Sequence, residues 1–184
     1  MVSQELPLRR ISPNMGWLAY GNVMVSYWRV EVTATDVRAL FPETDRMLEQ
    51  HRDGIATVNV IEHDTIATDE ARVVGAAQIR DLGTRLRCTA NILLGAGFWI
   101  AAARAITSTI NLISRRPVPI LHTDSIADAA RWLAPRLGHR ADPLADPPGP
   151  QRAGQEDAQA LASAIDRGLL AFRAAGRPPN PPPL

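Results

Sequence analysis

Apolar residues between positions 16 and 137 alternate between the two-residue period of strands and the 3.6-residue period of helices. Strand-type runs cover residues 16–20, 22–32, 55–62, 88–94 and 118–122. Helix-type spacing covers residues 33–52, 68–86, 98–114 and 126–137. The resulting order, β-β-α-β-α-β-α-β-α, predicts a small α/β layer structure.

The connections between these runs predict the sheet. Gly21-Asn22 separates the first two strands as a turn pair does in a hairpin. Each later strand follows a helix and requires a right-handed crossover, so we expect a mixed, mostly parallel sheet with an antiparallel edge. Trp28 and Ile61 are expected to be buried in adjacent central strands. Asn59 and Asn91 also fall inside central strands, where a buried amide needs a partner, so we expect them to bond to each other or to water.

Hydroxyl residues and a proline predict where the helices begin. Thr33 or Thr35, then Thr68 and Ser125, stand where N-caps are expected, and Asp128 makes an aspartate variant of a capping box with Ser125. Pro42 should split or kink the first helix. The second helix is expected to run as far as Leu86, and Gly138 should end the helix that follows Ser125.

Composition changes along the chain and predicts its organisation. Residues 1–15 are a polar N-terminal extension, 16–138 the folded domain, 139–152 a proline-rich linker, and 176–184 a proline-rich tail. Between linker and tail, residues 153–175 predict an amphipathic helix. Its apolar side carries Leu161, Ile165, Leu169 and Phe172.

Charge and cysteine content exclude some classes of function. The net charge of +1 gives no field for nucleic acid or an anionic membrane, and every basic residue is arginine, which excludes lysine chemistry. Cys88 is the only cysteine and opens an apolar run, which favours an inert buried thiol in a cytoplasmic protein. Residues 88–114 carry Arg104 as their only charge, but their glycines and asparagines favour strand, turn and helix over a membrane span.

Chemistry is expected at the edge where the parallel strands end. Candidate ligand- or partner-binding residues at this edge are His63, Asp64, Gly95, Gly97, His122 and Asp124. Histidine with aspartate suits a metal or a general base, but the aspartates also stand at helix-capping positions. No known catalytic motif is present, so we expect no enzyme activity, no metal and no cofactor.

The element order, together with GNVMVSYW in the long strand, NILLGAGF at the fourth strand's end and the closing DSIADAARWL, resembles the STAS domains. More particularly, the chain looks like the SpoIIAA-like group related to anti-sigma-factor antagonists. This resemblance implies a non-enzymatic regulatory module that binds proteins, such as a regulatory kinase or a sigma-factor regulator. It also allows a small-ligand or lipid-binding domain with an apolar cavity near residues 95–98.

STAS antagonists carry a phosphorylatable hydroxyl after the third strand, within Asp-Ser-Ser-Gly. The matching positions here are Asp64, Thr65, Ile66 and Ala67, of which the first two fit and the last two depart. The resemblance therefore implies Thr65, or Thr68 nearby, as a candidate phosphorylation site at a helix start. The alternative is that both threonines only begin the helix.

The outward side of the helix predicted over residues 98–114 carries a single charge, which is unusual for a solvated helix. We predict a homodimer through this surface. Its residues are Ile100, Arg104, Thr107, Ser108 and Asn111. The alternative is that the C-terminal helix folds back over it.

Overall fold

The computed structural model describes residues 7–95, 118–137 and 150–175, with Ala101 and Ala105 as isolated helical positions. The strands are β1 (Arg9–Ser12), β2 (Met15–Tyr20), β3 (Val23–Trp28), β4 (Glu31–Val32), β5 (Ile55–Ile61), β6 (Ile66–Ala67), β7 (Leu86–Leu93) and β8 (Ile120–Thr123). The helices are α1 (Ala34–Arg38), α2 (Phe41–Gln50), α3 (Asp69–Leu82), α4 (Ile126–Leu133) and α5 (Pro150–Ala174).

Within the described residues, six strands form the main sheet in the order β1-β2-β3-β5-β7-β8. β1, β2 and β3 pair antiparallel, and β3, β5, β7 and β8 pair parallel. The predicted α/β class and mostly parallel sheet are therefore confirmed. β1 lies inside the segment that was expected to be an extension. The sequence does not predict this strand, because Arg9 and Arg10 make the segment polar.

Trp28 and Ile61 are register partners in β3 and β5, as predicted. Trp28 is buried and Ile61 is half-buried. The prediction of one strand over 22–32 is wrong, because Val30 takes a φ of 60° and turns the chain away from β5. The chain beyond this turn forms β4, which pairs with β6 in a separate two-stranded sheet.

The helix starts follow the predicted caps. Thr33 makes a complete capping box with Asp36, and Thr68 accepts the amide of Ala71. Pro42 stands in the first turn of α2, so the predicted split of the first helix is confirmed. Ser125 accepts the amide of Asp128, as a cap should.

The second helix ends earlier than its apolar spacing predicts. α3 stops at Leu82, because Gly83 takes a φ of 60° and a 3₁₀ turn follows over Gly83–Arg85. Leu86 is therefore the first residue of β7, and the prediction that it belongs to the helix is wrong. Gly138, predicted to end the helix after Ser125, lies outside the described residues; α4 ends at Leu133.

Helices cover both faces of the sheet. α4 and α5 pack on one face, around a core that includes Val25, Tyr27 and Leu133. The predicted apolar side of the C-terminal helix, Leu161, Ile165, Leu169 and Phe172, is buried in this core. α1, α2 and α3 pack on the opposite face, around a second core that includes Met24 and Leu48. Among the described residues, no helix is both long and apolar enough to cross a membrane.

Candidate functional site

A cavity of about 200 Å³ lies between the second face of the sheet and the helices α1–α3. Its apolar lining comes from all these elements. It includes Met24, Trp28, Val32, Val37, Leu40, Ile61, Ala71, Ile79, Leu82, Leu86, Val118 and Ile120. A space of this size beside a packed core calls for an explanation, because protein interiors hold few voids larger than a water molecule.

Small residues on α3 explain the cavity. Ala71 and Gly75 are one helical turn apart and both line it, so α3 presents little side-chain volume there. A Cβ added at Gly75 would have no atom within 4 Å. Gly75 stands where a larger side chain would fit, and the absence of that side chain leaves space between α3 and the sheet.

Polar residues form the opposite wall of the cavity. Ser26, Asn59 and Asn91 are register partners on β3, β5 and β7, so their side chains form one row across the sheet. Ser26 Oγ lies 2.8 Å from Asn59 Oδ1, and Asn59 Nδ2 donates to Asn91 Oδ1 at 2.8 Å. The predicted bond between the two asparagines is confirmed. We name Ser26, Asn59 and Asn91 the polar row.

Two further groups join this wall. The indole Nε1 of Trp28 donates to Ser26 Oγ at 2.7 Å, which extends the polar row at its β3 end. Thr57 and Thr89 pair alongside it, with their hydroxyl oxygens 2.9 Å apart. The cavity therefore has apolar sides and one hydrogen-bonded wall, the combination typical of small-molecule sites.

The predicted edge of the sheet forms a second, polar cleft of about 540 Å³. His63, Asp64 and Gly95 line it together, so the structure brings three of the six predicted edge residues into one place. His63 Nδ1 lies 2.7 Å from Asp64 Oδ2, and both side chains are exposed. Glu62 in the same cleft accepts a 2.6 Å bond from Arg173 Nε. Exposed polar contacts of this kind contribute little to stability.

The other predicted edge residues lie elsewhere. His122 is the register partner of Asn91 on β8, Asp124 is exposed just beyond that strand, and neither lines the polar cleft. Gly97 and the predicted dimer surface (Ile100, Arg104, Thr107, Ser108 and Asn111) lie outside the described residues. The homodimer stays a prediction.

Both candidate phosphorylation residues have hydroxyls in local hydrogen bonds. Thr65 Oγ1 donates to the carbonyl oxygen of Glu62 at 2.6 Å, and it also lies 3.3 Å from the carbonyl oxygen of Trp28. Thr68 Oγ1 accepts the amide of Ala71 at 3.1 Å. These bonds give each hydroxyl a structural role, while its phosphorylation stays a prediction.

Nucleophile and metal chemistry find little support in the described part of the chain. Burial raises the pKa of the Cys88 thiol above its ordinary value of 9.0, although Arg136 and Arg87 act in the opposite direction. A thiol in this state reacts slowly, because the thiolate is the nucleophile. No group of three or more histidine, cysteine or acidic side chains that could hold a metal occurs among the described residues.

The sequence predicts the two asparagines but not the site they belong to. Ser26 and Trp28 stand out only once the register of β3 against β5 is known, and Gly75 resembles an ordinary small residue on a sheet-covering helix. The one available signal was the spacing of Ser26, Asn59 and Asn91 at matching positions of three strands predicted to lie side by side.

Comparison with known proteins gives no relative. Neither a protein family, a curated protein nor a solved structure matches this chain. The resemblance to STAS domains therefore stays a prediction.

Proposed function

We propose that this chain is a non-enzymatic binding module that holds a small, mainly apolar molecule between its sheet and α3. The cavity of about 200 Å³ is the observation that carries the proposal. An engineered apolar cavity of about 150 Å³ stays dry and binds benzene, so a space of this size suits a compact molecule. It is small for a complete lipid acyl chain, which favours a small ligand over a lipid.

The chemistry of the lining supports binding without turnover. Arg72 is the one charged residue among the described residues that line the cavity, and its guanidinium contacts the carboxylate of Asp69. Neither histidine, cysteine nor a carboxylate belongs to that described lining. Serine and threonine hydroxyls line the cavity, but a hydroxyl nucleophile needs an adjacent general base, and the described lining offers neither histidine nor carboxylate for that role.

Native mass spectrometry of the purified chain, with two variants of α3, tests this function. Gly75→Leu places a side chain in the open space of the cavity, and Val73→Leu changes the same helix at an exposed position. We expect wild type and Val73→Leu to carry a co-purified or added small molecule and Gly75→Leu to lose it while still folded. Equal occupancy in all three proteins would contradict the proposal.

A protein-interaction module is the second candidate, because two large apolar side chains are exposed around the start of α3. Ile66 is 64% exposed and Val73 is 61% exposed. Ile66 directly follows Thr65, where the STAS resemblance expects the regulated residue. A surface of this kind is favourable for a protein partner such as a regulatory kinase or a sigma-factor regulator.

Substitution at this surface tests the second candidate. Ile66→Asp should abolish retention of a partner in a quantitative pull-down, while Leu170→Asp, at a 67% exposed position on α5, should not. Both positions are exposed, so both variants should fold. Identical retention by the two variants would remove the Ile66 surface as a docking site.

A further inference from the structure

We infer that the cavity ligand carries a neutral oxygen acceptor of the carbonyl class, held by the side-chain amide of Asn91. This inference rests on the proposed binding function. It follows from which group donates and which accepts in each hydrogen bond of the polar row. Trp28 determines this order, because its indole can only donate.

The indole of Trp28 can only donate, because its Nε1–H has no lone pair to accept a bond. Ser26 Oγ accepts this bond at 2.7 Å. The hydroxyl proton of Ser26 therefore points elsewhere, and Asn59 Oδ1 is the acceptor at 2.8 Å. The carbonyl oxygen of Val58, at 3.4 Å, is a weaker alternative.

Each bond in the row orients the next amide. Once Asn59 Oδ1 faces Ser26, its Nδ2 faces Asn91 and donates to Oδ1 there at 2.8 Å. Asn91 thus uses its oxygen within the row and turns its Nδ2 away from it. Because the Trp28 indole can only donate at the β3 end of the row, the amide nitrogen of Asn91 is left as a donor at the β7 end, in the wall of the cavity.

Asn91 lines the cavity, and the residue as a whole is only 2% exposed. Within the described part of the chain, its hydrogen bonds end with the one it accepts from Asn59. A ligand oxygen placed against Nδ2 would accept a hydrogen bond from it, whereas a hydrocarbon would not.

The charges around the cavity select a neutral oxygen over a carboxylate. An ionised carboxylate is expensive to bury unless a cation pairs with it. Arg72, the charged residue of the described lining, has a side chain that is 33% exposed and contacts Asp69, so it does not provide a buried cation. An amide N–H suffices for a ketone, aldehyde or ester oxygen, since those acceptors carry no net charge.

A matched pair of probes tests the inference. Acetophenone and isopropylbenzene have nearly the same shape, and the carbonyl oxygen of the first replaces a methyl group of the second. Isothermal titration calorimetry gives the ratio of their dissociation constants for wild type. We expect the ratio of acetophenone affinity to isopropylbenzene affinity to be about two- to tenfold higher for wild type than for a variant without the Asn91 amide, the range that one net hydrogen bond supplies.

Three variants locate the source of this preference. Asn91→Leu removes the donor at similar size, and Trp28→Phe removes the group that directs the row, so the affinity ratio should fall about two- to tenfold in both. Ile79→Val changes only an apolar part of the lining, so both affinities should change together and their ratio should stay as in wild type. A change in cavity volume alone affects both probes alike, because they have nearly the same shape. It therefore does not change the ratio of their dissociation constants.

Every result has a defined meaning. An affinity ratio that is the same for wild type and Asn91→Leu overturns the inference while leaving the binding function in place. A preference that survives Trp28→Phe overturns the assigned direction of the row. If neither probe binds to wild type at its solubility limit, the proposed function itself fails. If Asn91→Leu does not fold, the Trp28→Phe ratio alone decides.

Discussion

The phenolic hydroxyl of Tyr27 in β3 donates a 3.0 Å hydrogen bond to the backbone carbonyl oxygen of Ile165 in α5. This bond joins the central sheet to a helix 138 residues further along the chain. The ring of Phe172 lies 5.8 Å from the ring of Tyr27 in the same core. α5 is therefore part of the folded layer structure, on the face opposite the cavity.

Gly168 permits this close approach of α5 to the sheet. A Cβ at that position would lie 2.1 Å from the Tyr27 hydroxyl oxygen and 2.5 Å from Leu18 Cδ2. We predict that Gly168→Ala lowers the free energy of unfolding by at least about 2 kcal/mol, measured by urea denaturation, since the helix must move off the sheet.

Gly75→Ala is the matched control, because it is also a glycine-to-alanine change within a helix. Its added Cβ meets nothing within 4 Å, so the variant should gain about 1 kcal/mol from helix propensity. Equal effects of the two substitutions would contradict the packing of α5 described above.

The turn at Val30 stores backbone strain. Val30 has a φ of 60°, which a β-branched residue rarely adopts, and its carbonyl oxygen accepts the amide of Ile66 at 2.8 Å. We predict that Val30→Gly raises the free energy of unfolding by about 1 kcal/mol. Asp64→Gly, at a φ of 64°, should gain less because aspartate tolerates this region better. A destabilised Val30→Gly protein would show that the valine side chain contributes more than the strain costs.

The hydroxyl of Thr65 stabilises the turn before α3. Thr65→Val keeps the shape of the side chain but loses its bond to Glu62, so thermal unfolding should show a loss of about 1 kcal/mol. Thr65→Ser retains the hydroxyl and should stay close to wild type. If valine is as stable as serine here, the hydroxyl is free for another role, and the phosphorylation implied by the STAS resemblance gains support.

The pKa of Cys88 predicts a loss of stability at alkaline pH. Burial raises this pKa in the folded protein, so above the ordinary value of 9.0 the unfolded chain releases a proton that the folded chain keeps. Stability is then fully present below 9.0 and falls as the pH rises. Urea denaturation between about pH 8 and 10 should show a steeper decline for wild type than for Cys88→Ala. Parallel curves would contradict the assignment.

The sequence predicts the parts of this fold that depend on local pattern. Caps at Thr33, Thr68 and Ser125, the split at Pro42 and the parallel strands all follow from spacing and turn chemistry. The break at Val30 could not be predicted, because valine favours a strand, and its left-handed turn accompanies the long-range pairing of β4 with β6.

The candidate site was predicted only in part, because it too depends on how the strands pair. Asn59 and Asn91 stand out as polar residues in buried strands. Their role in the site depends on Ser26 and Trp28, which lie beside them only because of the register in which the strands pair. His63, Asp64 and Gly95 lie together at the predicted edge because parallel strands end there. The prediction of an edge site did not include the face of the sheet, where the cavity lies.

Nitrogen-edited NMR of the uniformly labelled chain during titration with acetophenone tests the central claim most directly. The Nε1–H of Trp28 and the side-chain amides of Asn59 and Asn91 are resolved probes of the cavity wall, while the indoles of Trp17 and Trp132 lie outside its lining. We predict saturable shifts of the Trp28 indole and the Asn91 amide, with Trp17 and Trp132 unchanged. Shifts confined to His63 and Gly95 in the polar cleft, with the Trp28 indole unmoved, would contradict the claim.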